Sequence, residues 1–432
     1  MHVHRLAPEL LSEIFLHCID QSPGKLPQRR GYGAPLLFGR VCVGWRHVSL
    51  STPELWSYFR VDGDSHVNLQ DFEKDGSAMQ AWLERSTTFP LSIEIRYSSA
   101  KYKNTIESVI AMVVAQSLRW RKMSLIINHN YRDMVIRPLR EGQTSLLESI
   151  VIRCGPSGSS TTELTTIDLS QFPRLTMVEL MRMSVRFSFS GQYSYSIRTF
   201  IFGIFTHMSV KDLILCTSHF PLLEKLSFPI GRPESSGRHA ITELPHLVDC
   251  QLYVFDPADA AEFFDCVYAP ALKHLEVSTR QCPRRSYRHI FSMLERCRPP
   301  LESLALDETP MLATDFLLCL REVKDLTTLW TNDVSCSDIT IQALTIDDKG
   351  DVLNSNLCPR LRNMIFGMLH DVSLDMMRDM ILSRWINVTE SSESNRATRA
   401  LRTVRIFDLR FLPLLQDPTM EECVRDGLDL RI

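Results

Sequence analysis

The feature that most constrains this chain is a short pattern that keeps returning: an apolar residue, two others, an apolar residue, one other, an apolar residue. It appears at Trp120/Met123/Leu125, Leu147/Ile150/Ile152, Leu175/Val178/Leu180 and Ile197/Phe200/Phe202. It continues at Leu223/Leu226/Phe228, Leu247/Cys250/Leu252, Leu272/Leu275/Val277 and Leu301/Leu304/Leu306. Leu326/Leu329, Leu361/Met364/Phe366 and Leu401/Val404/Ile406 follow. Successive first positions lie 22–29 residues apart as far as Leu326, then 35 and 40 apart. The last two apolar positions alternate as in a strand with one buried face. A second marker removes chance as the explanation. Pro173, Pro221, Pro245, Pro270, Pro299 and Pro359 each stand two places before a first leucine. Proline fixes its own φ and pushes the preceding residue toward extended backbone, which suits entry into a strand.

The intervals between these strands have helical spacing. Asp256-Pro257 reads as a cap with proline in the first turn, ahead of Phe263, Phe264 and Val267. Ser286–Cys297, Leu312–Val323 and Ser373–Trp385 are amphipathic at the same period. Most of the spacings fall in the roughly 20–29-residue range of leucine-rich repeats, though no unit has the regular class's ladder asparagine. The expected fold class is therefore α/β. An N-terminal helical module precedes an irregular leucine-rich-repeat solenoid with a parallel sheet plus helices. The polar stretch Thr389–Thr398 is a candidate insertion between the last units.

Composition excludes several functions. The chain has 432 residues, 44% of them hydrophobic, and a formal charge of -3, which gives no reason to expect a nucleic-acid or membrane partner. No run approaches the roughly 18 apolar residues of a membrane span. The start, Met1 to Glu9, lacks the apolar core of a signal peptide. The expected location is cytoplasmic or nuclear. The 12 cysteines are dispersed and read as small core residues. Gly155-Pro156-Ser157-Gly158 is not G-x-S-x-G and reads as a turn. No phosphate loop or zinc spacing is present, so no catalytic residue, metal ligand or cofactor is expected.

The first 60 residues differ from the rest. Leu10, Leu11, Ile14 and Phe15 follow Pro8-Glu9 at helical spacing. The segment Ala34 to Arg46 places Leu37, Val41, Cys42 and Trp45 on one helical face, and a Pro-led turn precedes Leu55 and Trp56. A unit this small leaves apolar surface that needs a neighbour. By pattern alone that neighbour is either the rest of the chain or another protein. Residues 62–76 are polar and read as a loop, Ser77–Ser86 as a short helix, and Pro90–Ile95 as a strand. The predicted organisation is a module over 1–60, a linker and capping segment over 61–119, and repeats over 120–432.

The order L-x-P-E-L-L-x-x-I-F, V-C-x-x-W-R, L-S-T-P-x-L-W over about residues 5–60 resembles an F-box. It is closest to the variant found in large families of mushroom-type fungi, whose repeats are similarly degenerate. The matching positions are Leu6, Pro8, Glu9, Leu10, Leu11, Ile14, Phe15, Val41, Cys42, Trp45, Arg46, Pro53, Leu55 and Trp56. Ala7 stands where these families usually have a first proline, and Gln21–Gly33 lengthens the connection between the first two helices. The resemblance implies docking on a Skp-type adaptor joined to a cullin scaffold, and hence a substrate-recognition subunit of a ubiquitin ligase, not an enzyme in itself. The docking residues it implies are Leu6, Pro8, Leu10, Leu11, Ile14, Phe15, Val41, Trp45 and Trp56. The target protein would meet the strand residues between the last two apolar positions, which point to the opposite face. These include Glu179, Ser227, Gln251, Glu276, Trp330, Ile365 and Arg405, with Ile201 and Ala305 at equivalent positions. The alternative is a repeat scaffold acting by protein–protein contact independently of ubiquitination.

Overall fold

A computed structural model describes residues 6–22, 24–29, 33–99, 101–155, 164–190, 195–203, 209–230, 240–255, 257–279, 288–309, 311–332, 336–346, 356–369, 371–385 and 401–432. Asp256, Thr389–Thr398, Ser286 and the Pro156–Gly158 turn lie outside the described residues. The chain forms two compact units, Met1–Thr206 and His207–Ile432. Both are mixed α/β, built on parallel strands that follow chain order and are joined largely by helices.

In the first unit, helices Pro8–His17, Phe38–Val41 and Val43–Leu50 precede β1 (Tyr58–Asp62) and β2 (Leu91–Tyr97). Then come β3 (Trp120–Ile127), β4 (Ser149–Cys154), β5 (Thr165–Asp168), β6 (Met177–Met181), β7 (Val185–Ser188) and β8 (Thr199–Phe202). The sheet runs β1-β2-β3-β4-β6-β8, and β5 pairs separately with β7. Helices Leu69–Arg85, Lys103–Val114 and Arg132–Arg140 connect successive strands.

The second unit holds β9 (Lys225–Ile230), β10 (Thr242–Glu243), β11 (Asp249–Val254), β12 (Val267–Tyr268), β13 (His274–Thr279) and β14 (Ser303–Asp307). It ends with β15 (Thr328–Asn332), β16 (Asn363–Phe366), β17 (Thr403–Ile406) and β18 (Asp429–Arg431). The strand pairs of its sheet, from β9·β11 to β17·β18, are parallel. Helices Pro257–Cys266, Arg288–Cys297, Ala313–Glu322 and Leu374–Arg384 fall where the spacing places them.

The recurring proline is a turn residue. In five of the units the first leucine's N–H donates to the carbonyl three residues back: Leu175 to Phe172, Leu223 to Phe220, Leu247 to Leu244, Leu272 to Ala269 and Leu361 to Cys358. Proline occupies the second position of each turn, where its fixed φ is already right. The strand begins four residues after it, as from Pro221 to Lys225 and from Pro359 to Asn363. The first leucine therefore seals the core just before the strand, and all six such leucines are buried.

The parallel ladder starts earlier than the sequence suggests. Segment 61–119, read as linker and cap, contains β2 and two helices. The polar stretch 62–76 is not a loop throughout. A helix opens at Leu69, where the Asn68 side chain accepts the Asp71 N–H at 3.1 Å. Its inward stripe is Phe72, Asp75, Met79 and Trp82, and the polar residues around that stripe disguise it. The segment 34–46 is likewise two helices, broken at Cys42, whose extended backbone (φ -158°) caps Val43–Leu50 while its sulfur accepts the Trp45 N–H.

Candidate functional site

Two surfaces of the first unit, and one row of the second, carry the candidate residues. The N-terminal helices pack through their aromatic side chains. Phe15 stacks on Phe38 at 4.0 Å, and the Trp45 ring lies 4.9 Å from Phe15. Leu11 and Phe15 are buried, one helical turn apart. Leu10 and Ile14, offset from them by one residue and hence about 100° of helix, face solvent. The other two helices repeat this arrangement, leaving Leu37, Val41, Val43 and Leu50 exposed, with Val43 at 79% and Val41 at 52%.

This sorts the residues that the F-box resemblance singled out. Pro8, Leu10, Ile14 and Val41 are exposed and Leu6 is half-buried. Leu11, Phe15 and Trp56 are core, and a partner cannot reach them without unpacking the module. Trp45 is half-buried within the aromatic cluster. Trp56 is internal for a specific reason. Trp56/Phe59/Val61 has the spacing of the repeat, so Trp56 holds the first apolar position ahead of β1. Trp120 holds the same position of the repeat, at the first residue of β3. Each indole N–H donates to the carbonyl seven residues back, Trp56 to Ser49 at 2.7 Å and Trp120 to Val113 at 3.0 Å. Trp82 packs edge-on against Trp56 at 5.3 Å and the Arg85 guanidinium covers its ring at 4.4 Å.

The second surface is a cavity of about 440 Å³ over β1–β6. Strand register arranges its floor in rows. One row is Tyr58, Ser92, Lys122, Ser149 and Met177. The next is Glu94, Ser124, Val151 and Glu179, and the third is Arg96, Ile126 and Arg153. Residues Gln21, Ser22, Gly24 and Leu26 of the long connection between the first two helices form a further wall. Gly24, at φ +78°, donates its N–H to Glu94 Oε2 at 3.0 Å, and its carbonyl accepts from Arg60. Glu94 Oε1 lies 3.6 Å from both Arg60 Nε and Arg96 Nη2. Arg153 Nε donates to Glu179 Oε1 at 2.5 Å. Both acids of the cavity are thus held by arginines.

The connection is anchored at its far end as well. Arg29 pairs with Asp75, which also accepts from His66 and, at 3.3 Å, from the Tyr97 hydroxyl. Burial, and then the Asp75 charge, drives the Tyr97 phenol well above its ordinary pKa, so it stays a neutral donor.

Among the predicted target contacts, Glu179 alone belongs to the cavity. Ser227, Gln251, Glu276, Ala305, Trp330, Ile365 and Arg405 are aligned in register on successive strands of the second unit. Ser227 and Ala305 are buried, and the others are half-buried. Burial first, then the Asp307 and Asp249 charges, raises the Glu276 carboxyl above its usual range. Sequence reading missed Glu94, Arg96, Lys122 and Arg153. Had the rule that found Glu179 been applied to Ile93-Glu94-Ile95, it would have found Glu94.

No helix among the described residues is long and apolar enough to cross a membrane, and no group of three potential metal ligands occurs among them. No family model and no curated protein matches the sequence. Among solved structures 32 chains match. One is from the crystal structure of a Rad7 and Elc1 complex in yeast, with 15% identity, a TM-score of 0.39, and coverage of 75% of this chain and 74% of that one.

Proposed function

We propose that this chain is a substrate-recognition adaptor of a Skp–cullin–F-box type ubiquitin ligase, with an F-box at its N-terminus and degenerate leucine-rich repeats after it. One observation carries the reading. Three short helices with the F-box residue pattern put their aromatics inside and turn Leu10, Ile14, Leu37, Val41, Val43 and Leu50 to solvent. A module of this size does not expose so many large apolar side chains without a partner to cover them. The partner is the Skp-type adaptor, and the repeats hold a target protein. The chain's contribution to catalysis is proximity, supplied to a charged conjugating enzyme.

Co-expression of the full-length chain with a Skp-type adaptor tests this. The wild type co-purifies. Leu10→Asp/Val41→Asp, at two exposed positions, keeps its unfolding temperature and loses association. Burial of two half-exposed side chains is worth about 2 kcal/mol, or roughly 30-fold in affinity. A wild type that fails to associate while a known F-box does, or a double variant that associates equally well, refutes the proposal.

A further inference from the structure

The cavity of the first unit has one end made of hydrogen-bond donors that have no protein acceptor among the described residues. A β-bulge at Leu91/Ser92 places Arg121 outside the pairing, between Trp120 and Lys122. The Arg121 guanidinium lies 5.3 Å from the Tyr58 ring centre. Its Nη2 donates to Tyr58 Oη at 2.9 Å and to Ser92 Oγ at 3.3 Å. Arg121 has no carboxylate partner among the described residues. Tyr58 and Ser92 spend their lone pairs on the guanidinium, and their own protons have no acceptor there. A hydroxyl that accepts from a cation is a stronger donor for it. Among the described residues, exposed Lys122, next in the row, forms no ion pair or side-chain hydrogen bond, and the hydroxyl of half-buried Ser149 beyond it has no partner. Three neighbouring strands, roughly 4.8 Å apart, thus present O–H, O–H and N–H₃⁺ in line.

Such a row calls for a group that only accepts. A carboxylate qualifies, with two oxygens and about four lone-pair sites. The same cavity turns apolar at the far end of the row, at Met177, and beyond the row at Val151, Ile126 and Leu26. Glu94 and Glu179 are already neutralised by arginines and leave the donor end to the ligand. A phosphate dianion fits this mixed lining less well, because desolvation cost rises with the square of the charge. The volume, about 440 Å³, lies in the range of small-ligand sites.

We propose that this cavity binds a carboxylate carried on an apolar group, with the carboxylate across Ser92, Lys122 and Ser149 and the apolar part against Val151 and Met177. The proposal rests on the adaptor reading, in which the ligand is the C-terminal residue of a target. A free apolar acid offers the same chemistry.

The test uses the full-length chain and two peptide pools with three randomised C-terminal residues, one ending in a free carboxylate and one amidated. The retained peptides are identified by mass spectrometry. The wild type retains carboxylate peptides that end in an apolar residue and releases the amidated pool. Lys122→Glu lowers retention at least tenfold. Its co-purification with the Skp-type adaptor and its unfolding temperature are unchanged, so failure of this site is separable from failure of docking. Displacement by millimolar hexanoate supports the site and assigns it to free acids. Retention that resists hexanoate supports it and assigns it to peptide termini. Equal retention of the amidated pool, retention indifferent to Lys122→Glu, displacement by inorganic phosphate in place of hexanoate, or no retention of either pool overturns the proposal.

Discussion

Arg384 is the most deeply buried cation described in the second unit, and its replacement by methionine has a cost that the structure allows to be worked out. The side chain is 1% exposed. Its Nε donates to Leu344 O at 2.6 Å, Nη1 to Cys358 O at 2.9 Å and Nη2 to Leu357 O at 2.7 Å. The guanidinium thereby joins the end of helix Asp338–Leu344, the turn ahead of β16 and its own helix. Burial pulls its pKa down to about 10, so it remains charged at neutral pH. Methionine fills similar space with no donor. The carbonyl of buried Leu344 is orphaned at a cost of about 2 kcal/mol, whereas Cys358 O keeps the Leu361 N–H and half-buried Leu357 is less confined, so each of these loses about 1 kcal/mol or less. Relief of the buried charge offsets part of the loss. The expected net destabilisation is about 2 kcal/mol. Arg384→Lys keeps the charge but not the three-way fork, and falls between the two. Urea denaturation of the full chain measures the loss. Hydrogen exchange localises it to 338–346, 356–366 and the helix that carries the substitution. A change below about 1 kcal/mol for Arg384→Met refutes the reasoning, because the three carbonyls would then not depend on the guanidinium.

Other substitutions test other parts of the molecule. Asp75→Ala leaves Arg29 and His66 without their shared carboxylate. It should cost about 3–5 kcal/mol and expose the loop around Lys25 to trypsin, read as faster limited proteolysis. Phe15→Ala should destabilise by about 3–5 kcal/mol, whereas Ile14→Ala, next to it and exposed, should change stability by less than about 0.5 kcal/mol; equal effects in thermal unfolding would invalidate the sorting of inner from outer residues. Burial raises the thiols of Cys154, Cys319, Cys336 and Cys358 to about 12. A raised pKa removes thiolate at any pH below it. Iodoacetamide at pH 8 should therefore modify exposed Cys18 in the native chain and these four only after denaturant is added, as followed by intact-mass spectrometry.

The repeats were legible because their rule is local. Leu223, Leu226 and Phe228 bury together whatever surrounds them, and Pro221 marks the turn ahead of them. The first repeat was not legible, because its leading residue, Trp56, also completes the F-box-like pattern, and one residue cannot signal both roles. The helix at Leu69 was hidden by Asp71, Glu73, Lys74 and Asp75. Of these, Asp75 sits on the buried face, where its partners Arg29, His66 and Tyr97 come from elsewhere in the chain. The cavity was illegible for the same reason. Apart from Arg96 beside Glu94, its acids lie 26 to 70 residues from the groups that orient them, as in Gly24 with Glu94 and Arg153 with Glu179. Strand register and the long connection together bring them into contact.

The long connection Gln21–Gly33, which departs from the compact F-box pattern, acquires a physical role from these contacts. Arg60 N–H donates to Pro27 O at 2.7 Å and Gln28 bridges to Arg60, so the connection pairs along the outer edge of β1. An open parallel edge is a liability for any sheet, and this one is covered from within the chain. The same segment supplies Gly24 and Leu26 to the cavity wall and Arg29 to the buried Asp75. Helices Pro8–His17 and Phe38–Val41, which flank it, carry four of the exposed apolar residues assigned to docking. Replacing Gln21–Gly33 by a short Gly-Ser link therefore separates the two ends of the proposed adaptor. Leu10, Ile14 and Val41 do not depend on Gly24 or Arg29, so association with the Skp-type adaptor is retained. The wall of the cavity and the cover of β1 are lost, so carboxylate retention falls and aggregation through the freed edge rises. Light scattering of the purified variant reads the second effect. A monodisperse variant with intact retention would show that the connection is a passive loop.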